Sequence, residues 1–199
     1  MAPKSKNCCS QKASPMSLME KLGTPVGSHA PDFELPGIDA QVHHLSRYRQ
    51  QWRGIGVIFL CNDCPYVYCY LDRLKQIQAQ FEPKGFTLVG INAKDASRYP
   101  QESFENMKKF AREKQLNFPY LWDSTQDVAH CFGAQKIPEA FVIDELGILR
   151  YSGQIDDNVE EPAAVQLPYL KNAIAALLAG KDISPKSTQA IGRPLEWRN

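Results

Sequence analysis

No charge of one sign dominates this sequence: 23 Lys+Arg stand against 22 Asp+Glu in 199 residues, a formal net charge of +1. Beyond the short Lys4-Ser5-Lys6 there is no cluster of basic residues, so the electrostatic footprint of a nucleic-acid or anionic-membrane partner is missing. Long hydrophobic runs are missing as well. No stretch approaches the roughly 18 consecutive apolar residues of a membrane span. No run of about 7–15 apolar residues follows the charged start as a secretory signal requires. The expectation is a cytoplasmic protein with no membrane and no nucleic-acid partner, in a compartment that keeps thiols reduced. Metal-binding spacing is equally scarce. The four histidines show no H-x3-5-H pattern and no second C-x-x-C completes a structural zinc site, so neither a metal nor another cofactor is expected.

What is present is enough for a core. The chain is 43% hydrophobic, and a domain of this size buries about 70% of the surface its unfolded form exposes. Disulfides are therefore not required for folding. That leaves six cysteines to explain: Cys8, Cys9, Cys61, Cys64, Cys69 and Cys131.

Residues 1–27 are polar and broken by Pro3, Pro15 and Pro25, the composition of a flexible arm. Phe33 and Leu35 alternate with acids before the turn residues Pro36-Gly37, predicting a β-hairpin that ends near Leu45. Ser46 is positioned to cap a short helix. Val57-Ile58-Phe59-Leu60 reads as a buried central strand. After Pro65, Val67, Leu71, Leu74, Ile77 and Phe81 fall at helical spacing until Pro83-Lys84-Gly85 stops them. Further strands are expected at Phe86–Ile91 and in a hairpin around Asp144-Glu145-Leu146-Gly147. Helices are expected from Phe104 to about Leu116, after a Ser124 cap to Gly133, and from Leu167 to Ala179. This order predicts an α/β fold over 28–180, a central mixed β-sheet flanked by helices with an N-terminal β-hairpin, followed by an irregular tail over 181–199.

Cys61-Asn62-Asp63-Cys64 falls where the buried strand ends and the amphipathic helix begins. Unpaired N–H groups and the positive end of the macrodipole at a helix N-terminus stabilise a thiolate, expected here at Cys61. Pro65 suits the first helical turn, where its missing N–H costs nothing. The chemistry implied is thiol–disulfide exchange, in which Cys61 attacks or receives a disulfide and Cys64 resolves the mixed intermediate. Two reduced cysteines packed in a helix cap, or half of a zinc site, are the plainer alternatives. Asp63 opposes thiolate formation, and Lys136 favours it if the loop before Pro138 approaches. Cys69 and Cys131 are expected to pack in the core, Cys8 and Cys9 to be incidental, and His43-His44 to end the hairpin in solvent.

At these residues the sequence resembles the thioredoxin-like superfamily, specifically the redoxin group related to alkyl-hydroperoxide reductases and thiol-specific antioxidants. The matching pieces are Ala30-Pro31-Asp32-Phe33, Phe59-Leu60-Cys61-Asn62-Asp63-Cys64-Pro65-Tyr66-Val67, Gly90-Ile91-Asn92-Ala93, Tyr99-Pro100 through Met107, Phe118-Pro119-Tyr120-Leu121, Ile137-Pro138 and Tyr151 through Asp157. The resemblance implies a thioredoxin-like fold with a cis-proline loop opposite the C-x-x-C. Pro138 would be that proline, and the Ile137 backbone would pair with a bound substrate strand. It further implies a protein disulfide substrate and a protein or low-molecular-weight thiol as reductant. Thioredoxins carry a buried acid on the strand before the pair, whereas Ile55 to Leu60 is wholly apolar. Two rivals stay open. One is peroxiredoxin-like peroxide reduction, which needs a hydroxyl three residues before its cysteine, where this chain has Ile58 or Cys61. The other is a redox-sensitive protein-binding module without turnover.

Overall fold

The computed structural model describes residues 23–198. Cys8, Cys9 and most of the 1–27 arm lie outside the described residues. The apolar run after Trp52 becomes β3 (Gly54–Phe59), in which every residue is buried. A strand with no polar face must be covered on both sides, and it sits at the centre of the sheet. It pairs in parallel with β4 (Phe86–Asn92), Val57 opposite Val89, and antiparallel with β7 (Glu139–Asp144), Val57 opposite Phe141. β5 (Tyr120–Trp122) extends the sheet beyond β4 and β8 (Leu149–Gly153) beyond β7, giving the order β5-β4-β3-β7-β8. The expected α/β architecture with a mixed central sheet is what forms. The hairpin is β1 (Glu34–Pro36) against β2 (Val42–His44), and it runs straight into α1 (Leu45–Gln51).

The spacing after Pro65 folds as α2 (Pro65–Phe81), which turns Val67, Tyr70, Leu71, Leu74, Ile77 and Phe81 inward. Each such side chain contributes about 1.5–3 kcal/mol on full burial. Chain entropy offsets most of that sum. α3 (Phe104–Glu113), α4 (Asp127–Phe132) and α5 (Tyr169–Leu178) complete the helices. Gly54 marks where α5 crosses the sheet: a Cβ there would stand 2.6 Å from a Leu177 methyl and 2.9 Å from the Phe86 ring. Arg73 on α2 ties down the acidic loop before α5. Its guanidinium donates to the Asp156 carboxylate at 2.6 Å and to the carbonyls of Asn158 and Val159.

Several local expectations shift. The first helix starts at Leu45 with the extended residue His44 as N-cap, so Ser46 lies inside it rather than capping it. Gln126, with φ of 69°, occupies the N-cap of α4 in place of Ser124. Gly133 does end that helix, at φ of 73°. Cys69 and Cys131 are exposed, not core, because the buried stripes of their helices pass through Val67, Tyr70 and Leu71 and through Ala129 and Phe132. His43 is not a solvated hairpin end: its ring lies 2.6 Å from the Tyr48 hydroxyl and 3.0 Å from the Asp39 carboxylate. The tail after α5 is largely irregular across the described residues but is fastened back to the sheet. Ser187 bridges Ser152, and Arg193–Pro194 forms β9, antiparallel to β6 (Lys136–Ile137).

Candidate active site

Cys61 and Cys64 sit at the carboxyl end of central strand β3, the edge of an α/β sheet at which ligands are usually met. Both are free thiols, 1% and 0% exposed. The helix begins at Pro65, so Cys64 is the N-cap and the helix terminus faces the second cysteine rather than Cys61. A hydrogen bond from the Cys61 thiol lowers Cys64 to about 6 against the opposing effect of burial. The N–H groups of Val67 and Tyr66 and the charge of Arg193 add to it, although no full capping hydrogen bond closes on the sulfur. The same contact raises Cys61, as do burial and the negative charge of Glu102. The contact between the two thiols thus favours the charged form at Cys64 and the neutral form at Cys61.

Glu102 was not singled out by any local pattern, yet it organises the loop between the cysteines. It ends a single 3-10 turn (Pro100–Glu102) and is 1% exposed. One carboxylate oxygen accepts the Asn62 N–H at 2.8 Å and the Asn92 side-chain amide at 2.9 Å, and the other accepts the Asp63 N–H at 3.0 Å. The Asn62 side chain is held in turn, donating to the Gln101 carbonyl at 2.9 Å and accepting from the Tyr120 hydroxyl at 3.0 Å. Both residues between the cysteines thus have their backbone N–H groups on one buried carboxylate. The apolar β3 offers no acid to the pair, and this acid comes instead from the 3-10 turn that follows β4 in the chain.

The Ile137–Pro138 peptide is cis, and the loop closes on the pair, with the Cys64 sulfur 3.7 Å from the Ile137 carbonyl oxygen. The structure does not leave the Ile137 edge free for a substrate strand. It is paired with Arg193 of β9. Asp63 and Lys136 lie near the pair, but their shown contacts are structural: the Asp63 N–H goes to Glu102 and the Lys136 N–H to the Glu139 carboxylate at 3.1 Å. The charges acting on Cys61 are instead Glu102, then Cys64 and Lys94, and on Cys64 Arg193.

A C-x-x-C at a strand-to-helix corner, facing a cis-proline loop on a mixed sheet, defines a thioredoxin-like protein. The AhpC/TSA family matches residues 26–152, and the chain belongs to that family. It is 30% identical over 131 residues to the thiol-disulfide oxidoreductase ResA of Geobacillus kaustophilus, covering 64% of this chain and 68% of that protein. Among solved structures, an uncharacterized conserved protein from Geobacillus kaustophilus superimposes with a TM-score of 0.82 at 35% identity, covering 87% of this chain and 93% of that one. A hypothetical protein from Sinorhizobium meliloti matches with a TM-score of 0.82 at 30% identity, covering 88% and 96%. Among the described residues no helix is long and apolar enough to cross a membrane.

Proposed function

We propose that this protein is a thiol–disulfide oxidoreductase in which Cys61 forms the mixed disulfide and Cys64 resolves it. The observation that carries the reading is the placement of the Cys61–Cys64 pair at the carboxyl end of β3 against the cis Ile137–Pro138 loop. Cys61, as its thiolate, attacks a disulfide RS–SR. The Cys61–SR bond forms and RS⁻ leaves, protonated by water. The Cys64 thiolate then attacks the Cys61 sulfur, closing the Cys61–Cys64 disulfide and releasing a second RS⁻, which is protonated by water. Two electrons leave the pair and two thiols are produced.

The name of the ResA relatives supports this chemistry. The substrate is a protein disulfide, and the setting is the reducing cytoplasm, where a protein or low-molecular-weight thiol restores the dithiol. The role as reductant corresponds to a reduction potential nearer the ~−270 mV of thioredoxin than the ~−120 mV of strongly oxidising relatives. A Cys64→Ser variant is expected to accumulate partners as mixed disulfides through Cys61, while the unaltered protein reduces insulin disulfides. Failure of both would leave the pair without turnover and refute the proposal.

A further inference from the structure

After α5 the chain returns to the sheet edge where a substrate strand would pair. β9 lies antiparallel to β6, with Arg193 opposite Ile137 and Pro194 opposite Lys136, and so takes the main-chain edge beside Cys64. The approach is close: a Cβ at Gly192 would stand 2.2 Å from the Ile137 carbonyl oxygen. That carbonyl is the one that faces the Cys64 sulfur. On the other flank, Glu196 comes within 3.9 Å of Lys94, whose charge acts on Cys61. Residues 192–194 therefore run along the Ile137 edge beside Cys64, and both cysteines of the pair are buried.

We infer that this C-terminal strap is a self-bound stand-in for the substrate strand, and that a protein disulfide reaches Cys61 only after residues 191–198 lift from β6. The inference rests on the thiol–disulfide reading of the pair. An extended polypeptide added to a sheet edge gains affinity from main-chain hydrogen bonds, and strap and substrate would compete for the same ones.

The hold of the strap is of a kind that can be released. β9 has two residues, both exposed, and Pro194 has no N–H to give to the ladder. Leu195 is its one buried anchor, with its N–H on the Gln135 carbonyl at 2.9 Å. Gln126 grips the strap beyond that point, donating to the Glu196 carbonyl at 3.0 Å and accepting the Arg198 N–H at 2.7 Å. Upstream the chain is fastened separately, the Thr188 hydroxyl lying 2.8 Å from that of Tyr151, so opening the strap need not disturb the sheet. Segments with few buried contacts and exposed main-chain bonds open locally, well short of global unfolding.

The test uses the reduced full chain with iodoacetamide as the probe and mass spectrometry to read alkylation of Cys61 and Cys64. A Gly192→Val variant wedges β9 away from Ile137, and Leu195→Asp removes the anchor. Both are expected to be alkylated roughly tenfold or more faster than the unaltered protein, as a locally gated site requires, and to reduce insulin faster. Equal alkylation rates would overturn the inference. Faster alkylation with no insulin reduction by any form would sustain the strap and remove the exchange reading instead. Should either variant fail to fold by circular dichroism, the unaltered protein decides in a denaturant series. Alkylation of the Cys61–Cys64 pair must follow the exchange of the Leu195 amide. Alkylation that follows the β3 amides alone overturns the inference.

Discussion

Replacing Glu102 by Gln removes the charge from the carboxylate that holds both inter-cysteine N–H groups while changing its volume hardly at all. The amide oxygen can keep Asn62 and Asn92, but the amide nitrogen then meets the Asp63 N–H, donor against donor. A hydrogen bond to a charged acceptor is worth about 1.5–3 kcal/mol, and the two that survive weaken on becoming neutral. Part of this is returned, because burying an amide costs less than burying a charge. The net loss is about 2–4 kcal/mol, which at about 2–4 °C per kcal/mol in a protein of this size lowers Tm by about 5–15 °C. Calorimetry on the reduced protein measures that shift. The same substitution takes away a negative charge that holds Cys61 up, so the Cys61 titration, followed by thiolate absorbance, moves down. A Tm change below about 1 °C together with an unmoved Cys61 titration would refute the account of Glu102 as the organiser of this loop.

The reduced pair also makes stability depend on pH. Cys64 is lowered to about 6, so its contribution is complete above the ordinary thiol value and is lost as pH falls through about 6. Cys61 is raised, so its contribution is complete below the ordinary thiol value and is lost at higher pH. The Tm advantage of the reduced protein over Cys64→Ser should therefore grow between about pH 6 and pH 9, and a flat difference would contradict the lowering of Cys64. Cys61→Ala deletes the donor and should return the Cys64 titration toward the ordinary thiol range, read from the pH dependence of alkylation. Arg193→Ala should raise it by a smaller amount, since that charge is a lesser influence than the Cys61 hydrogen bond. Arg73→Ala strands the Asp156 carboxylate, 4% exposed, and breaking one partner of a buried pair costs about 3–5 kcal/mol. Urea unfolding should show that loss, with the residues after Asp156 becoming the first cleaved by protease.

Much of the fold and half of the site can be read from residue order, because the signals are local. The all-apolar run at Val57 can only be covered on both faces, the 3-and-4 spacing from Val67 to Phe81 can only present one stripe, and a proline directly after Cys64 can only open a helix. These place the C-x-x-C at the end of a central strand without any knowledge of the rest of the chain. The pairing of β3 with β7 rather than with a nearer segment is not local, and the position of Cys69 and Cys131 depended on which helix face met the sheet.

What the sequence by itself determined is the element order, the Cys61–Cys64 pair and its place at a strand-to-helix corner, since hydrophobic period and turn chemistry act within a few residues. Only the tertiary structure decided which thiol is lowered, because that turns on where the helix begins and on the contact between the two thiols. It alone brought Glu102 under the loop forty residues away in the chain, and it alone laid Arg193 along Ile137. Hydrogen-bond partners and main-chain edges are satisfied by whatever the fold brings near, and nothing in the local order of residues names them.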